Sequence, residues 1–247
     1  MLPSTAISAT LPRNAIQLAL LLGMFSVGVL AAEPLNDRST LAQAPGLSLH
    51  YSPHVGFQPE DGWALIKTDD GVLFVWNVHE LHFTVSIKGK DVKQVADPDH
   101  IFLTVDGKML QIQAAEIREF APDAKEKKLD DKAVLAAHRE WESKYLEGLL
   151  KSKLTLKSFN VNMSALGPAS LWAFDMPEGM NAEVKTQLYV TVLRGDYVVM
   201  LNCEATTTTS EVEVRKFLLD TMATLKTSAE PIDVQKLSQS IRAGKKP

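Results

Sequence analysis

The chain has 247 residues, room for one domain, or one domain with a long extension. Hydrophobic residues make up 45 % and charged residues 23 %, ordinary globular values that exclude a wholly disordered, collagen-like or coiled-coil chain. With 26 Lys and Arg against 30 Asp and Glu, the net charge of -4 gives no electrostatic ground for a nucleic-acid partner, and the single cysteine, Cys203, cannot form an internal disulfide.

Residues 14–32 form an uncharged, mostly apolar run behind Arg13, the layout of a secretory signal peptide. Val29 and Ala31 stand at the small-residue positions of a cleavage site, so residues 1–31 are expected to leave and the remaining chain to be exported, periplasmic or secreted. The rival is a retained membrane anchor, since the run approaches the roughly 20 residues of a span. No basic stop-transfer cluster and no cysteine follow it. The expectation is therefore removal, with no membrane span afterwards and no lipid anchor.

Residues 32–54 are polar and turn-rich and read as an extended lead-in. Segments 63–68 and 72–78 flank Asp69-Asp70-Gly71, a hairpin connection. The second of them is apolar on both alternating sets, as in a central strand covered on both faces. Leu81, Phe83, Val85 and Ile87 then alternate with His82, Thr84, Ser86 and Lys88, predicting a half-buried strand whose polar face looks at water or at a partner. Asp106-Gly107 joins strands 101–105 and 108–113.

The period changes over 124–150, where Val134, His138, Trp141, Tyr145 and Leu149, widened by Leu146 and Leu150, predict a long amphipathic helix with Asp130 and Asp131 near its positive end. Segments 153–163 and 169–176 read as strands, and the apolar register shift between Leu156 and Phe159 suggests a bulge. A hairpin turning at Gly195-Asp196 joins 188–193 to 197–205, and Ser210 with Glu213 caps a closing helix over 210–226. The domain thus runs from 55 to 227, and 228–247 is expected to be a weakly ordered tail with one amphipathic turn at Ile232, Leu237 and Ile241. The fold class is α+β: an antiparallel sheet with a long middle helix and a C-terminal helix packed on it.

No nucleophile elbow, phosphate loop, dinucleotide fingerprint, zinc-protease helix or paired-cysteine motif occurs in the sequence. The nearest approach to a metal site is His79-Glu80-Leu81-His82, which strand periodicity would spread over opposite faces and a turn would bring together. His50 and His54 stand four apart in a Pro-flanked loop. His138 interrupts the apolar stripe of the middle helix and reads as a core-edge histidine. Cys203 alternates with Val199, Leu201 and Ala205 and reads as a buried structural thiol; catalysis by Cys203 and His138 would need the two to meet in a cleft. The acidic pairs Asp69-Asp70 and Asp130-Asp131, and the Lys125, Lys127 and Lys128 cluster among Asp123, Glu126 and Asp130, read as solvated faces.

The stretch Gly56-Phe57-Gln58-Pro59-Glu60-Asp61-Gly62-Trp63, with one extra residue between its proline and glycine, resembles the approach to the first strand in the Mog1/PsbP-like fold family. Gln187 to Lys226 is similar to that family's terminal hairpin and final helix, and the likeness of layout covers residues 55–227. The resemblance implies an accessory or binding module, as in photosystem-associated lumenal subunits and nuclear import factors. It supplies no catalytic residue.

The chain is therefore expected to be an exported, non-enzymatic binding or assembly-accessory domain. It would need no cofactor and would act on an unidentified protein or small molecule. The strand face of His82, Thr84, Ser86 and Lys88 and the tail after 227 are its candidate contact surfaces. A small exported hydrolase with a site assembled from distant residues, and a small-ligand carrier, are the alternatives.

Overall fold

The computed structural model describes residues 47–50, 62–97, 100–161, 163 and 166–244. The leader, His54 and all of the Gly56–Trp63 stretch before Gly62 lie outside the described residues.

The fold is α+β, with two antiparallel sheets where one was expected. Strands β1 (Leu47–His50), β2 (Gly62–Thr68), β3 (Gly71–Val78), β4 (Leu81–Lys88) and β12 (Lys226–Ser228) form a five-stranded sheet in that order. The seven-stranded sheet contains β5 (Val92–Val95), β6 (Ile101–Val105), β7 (Lys108–Glu116), β8 (Leu156–Phe159), β9 (Ala169–Asp175), β10 (Val184–Arg194) and β11 (Tyr197–Thr206). Its order is β5-β6-β7-β11-β10-β9-β8. Four helices accompany them: α1 (Ile117–Phe120), α2 (Asp131–Leu150), α3 (Glu211–Met222) and α4 (Val234–Arg242).

Alternation in the strands sets the layers. Phe74, Phe83, Val85 and Ile87 of the small sheet share one core with Leu103, Leu110, Ile112, Leu188, Val190, Leu201 and Cys203 of the large one. Val214, Leu218 and Met222 of α3 join the same core. The other face of the large sheet packs against α2, where Leu146 and Leu150 meet Trp172, Phe174, Tyr189 and Met200. The other face of the small sheet packs against α4. As expected for β3, both of its faces are covered.

The turns follow from local chemistry. Asp106 and Gly107 both take positive φ (+48° and +80°), as a two-residue hairpin of the primed type requires. Ser210 and Glu213 form the predicted capping box of α3, worth about 1 kcal/mol.

Several boundaries differ from the sequence reading, each for an identifiable reason. The middle helix starts at Asp131 rather than 124: Lys128 sits in the left-handed region and Asp130 accepts from the Ala133 amide at 2.8 Å as N-cap. The closing helix stops at Met222, because Thr224 Oγ1 accepts from the Ser86 amide at 2.8 Å and draws the chain onto the edge of β4 as β12. The bulge proposed between Leu156 and Phe159 is absent, and β8 pairs regularly with β9. Leu156 packs on the α2 side and Phe159 on the inner core, so the apolar shift records a strand covered on both faces. The register shift lies instead between Val184 and Thr186. The single amphipathic turn expected after 228 is the nine-residue helix α4.

Candidate functional site

One end of the molecule gathers three segments distant in sequence around a pocket of about 420 Å³. The β3–β4 turn and start of β4 supply Glu80, Leu81 and His82; the β10–β11 hairpin supplies Arg194 to Tyr197; β12 supplies Thr227 and Ser228. The chain reaches this end because β4 pairs with β12 and because the hairpin reverses at Gly195, at φ +57°.

His79 takes φ +54° at the two-residue turn, a left-handed conformation that histidine tolerates better than most side chains. His79 and Glu80 are exposed, whereas His82 is buried at 6 % exposure between Asn77 on β3 and Ser228 on β12. Its Nδ1 is buried without a hydrogen-bond partner. Arg194 is half-buried, and Nη1 donates to the carbonyls of Leu166, at 3.0 Å, and of Leu193. Burial lowers the Arg194 pKa, and among the described residues no carboxylate pairs with it. Asp196 is engaged by Lys125 at 2.7 Å. Tyr197 is held above its ordinary pKa by burial and then by the nearby Glu116 and Glu80 carboxylates. The Ser228 hydroxyl donates to the Glu230 carbonyl at 2.6 Å.

The expected polar face of β4 takes a different setting from open water. Its register puts His82, Thr84 and Ser86 opposite Asn77, Val75 and Leu73, on the face that α4 overlies; Thr84 and Ser86 are half-buried and Lys88 is exposed beside Asp70 at 3.3 Å. The tail after 227 covers the same face of the sheet rather than standing apart.

Cys203 and His138 do not meet. Cys203 is in the core between the sheets and His138 is on the buried side of α2, on opposite faces of the large sheet. Burial pushes the Cys203 thiol up to about 12, the inert state of a structural cysteine. His138 packs edge-on to Phe120 and beside Trp141, and burial lowers its pKa to about 4. His50 lies in β1, and His54 lies outside the described residues. Among the described residues no three His, Cys, Asp or Glu side chains come together as a metal site, His79, Glu80 and His82 included. Of the acidic pairs, Asp130 caps α2 and Asp70 faces Lys88.

Sequence reasoning missed the polar groups under α2. Glu142 is 2 % exposed, its Oε1 has no partner, and burial pushes its carboxyl up to about 7. Tyr189, which feels the Glu142 charge, stacks on Trp172 at 4.0 Å, and the buried Trp172 Nε1 is also without a hydrogen-bond partner among the described residues. A row of buried amides crosses the same face, Gln187 donating to Asn202 at 3.0 Å and Asn202 to Gln111. The available signal was helical spacing: Glu142 follows His138 by four and precedes Leu146 by four. Arg194 and Tyr197 were missed because hairpin-end residues carry no motif.

No helix among the described residues is long and apolar enough to cross a membrane. No protein-family model matches the sequence, and no curated protein matches it.

Proposed function

We propose that this chain is an exported binding or assembly-accessory domain that acts through the pocket at the β3–β4 turn, without catalysing a reaction. The observation that carries the reading is the convergence there of Glu80, His82, Arg194, Asp196 and Tyr197 from two sheets at an open concavity. The one serine hydroxyl at the pocket is committed to the Glu230 carbonyl, and Arg194 is fixed by backbone carbonyls. Export rests on the apolar run 14–32 and the Val29/Ala31 exit, and the likeness of 55–227 to the Mog1/PsbP-like family leads to the same class of function.

The test is site-specific cross-linking in cells that export the full chain. A photo-reactive side chain at Glu80, at the pocket, should give a discrete adduct by mass spectrometry, and one at exposed Lys151, beyond α2, should not. Equal labelling from the two positions, or none from Glu80, overturns the assignment of the pocket.

A further inference from the structure

The charges around the pocket are unusual in their pairing. Asp196 is neutralised by Lys125 at 2.7 Å, but Arg194 has no carboxylate partner and Glu80 no cationic partner among the described residues. The two line the same pocket. One Arg194 nitrogen is held by the Leu166 and Leu193 carbonyls, and among the described residues its other guanidinium donors have no hydrogen-bond partner. His82 adds a buried imidazole whose Nδ1 is also unpartnered.

A carboxylate placed on a half-buried guanidinium makes charge-assisted, bidentate hydrogen bonds, the strongest class available to a neutral-pH site. A dianion such as phosphate would meet the Glu80 and Asp196 carboxylates on the same rim, and a simple amine would meet Arg194. A ligand carrying both signs satisfies both. We propose that the pocket binds a small zwitterion of amino-acid type, its carboxylate on Arg194 and its ammonium group toward Glu80. The volume of about 420 Å³ accommodates such a molecule together with a side chain. This assignment rests on the reading of the pocket as the binding site and names what it holds.

The measurement is calorimetric titration of the full chain with L-leucine, propionate, ethylamine and inorganic phosphate. Leucine is expected to saturate, with propionate and ethylamine about tenfold weaker or more, since each lacks one charged contact. Arg194→Gln should weaken leucine and propionate alike; Arg194→Lys keeps the charge, guards against a folding defect and should retain part of the affinity. Glu80→Gln, at an exposed turn position, should weaken leucine and leave propionate unchanged. Propionate binding as tightly as leucine, tighter binding of phosphate, or no saturation by leucine at millimolar concentration each overturns the proposal. A Glu80 cross-link that forms while the titrations fail would overturn the zwitterion and leave the binding module standing; failure of both removes both.

Discussion

At the scale of residues, the two titratable groups buried under α2 give this protein a pH signature. The folded state holds a proton on Glu142 up to about pH 7, whereas the unfolded chain releases it near 4.5. Stability contributed by that group is therefore present at low pH and lost as pH rises from 4.5 to 7, by about 3 kcal/mol in all. His138 works in the opposite sense. The unfolded chain takes up a proton below 6.5 that the buried imidazole refuses until about 4, so stability falls as pH drops through that window. Between 4.5 and 6.5 the slopes of Glu142 and His138 oppose each other, while Glu204, which burial pushes up to about 6, adds a further loss as pH rises from 4.5 to 6. Glu142→Gln should come close to the parent near pH 4 and exceed it at pH 8 by up to about 3 kcal/mol in urea unfolding. A parent and variant that keep the same difference at both pH values would mean that Glu142 is ionised and satisfied in the folded state.

At the scale of elements, α4 is the piece whose order depends most on docking. A nine-residue helix is too short to persist alone, so its stability comes from Ile232, Val234, Leu237 and Ile241 against Ala64, Ile66, Leu73 and Val75. Asn77 fixes the approach, donating to the Ile232 carbonyl at 2.8 Å and accepting from its amide at 2.9 Å. Leu237→Asp places a charge in that contact and should release the segment as a unit. Limited proteolysis is expected to cut between 229 and 244 while the fragment ending near Ser228 survives. Dye binding to the uncovered face of β2 and β3 should rise at the same time. If the segment stays as resistant as in the parent, the helix is held by something other than this apolar stripe.

At the scale of the whole molecule, one core runs through both sheets and α3, and β12 ties the end of the chain to β4. That continuity predicts a single cooperative unfolding transition. Trp63 and Trp76 report on the small sheet, while Trp141 and Trp172 report on the α2 side of the large one. In a Trp141→Phe/Trp172→Phe variant and in a Trp63→Phe/Trp76→Phe variant, the fluorescence midpoint should coincide with the circular-dichroism midpoint of the same variant. Separated midpoints would show that the sheets unfold as independent bodies.

The local layer of this architecture is readable in the residues themselves. Alternation over Leu81–Lys88, the Asp106-Gly107 turn, the Ser210/Glu213 box and the helical period from Val134 to Leu150 depend on neighbours within a few positions, and each has its element. What depends on distant contacts was decided only in three dimensions. Ser86 captures Thr224 and converts the end of a helix into a strand; α4 covers a face whose polar residues read as looking at water or at a partner; two sheets share one core where alternation alone allows one sheet. Periodicity reports which side of an element is apolar, but not what covers it. The pocket belongs to the same class, since Glu80, Arg194 and Ser228 acquire a common environment only when β4 pairs with β12 beside the β10–β11 hairpin.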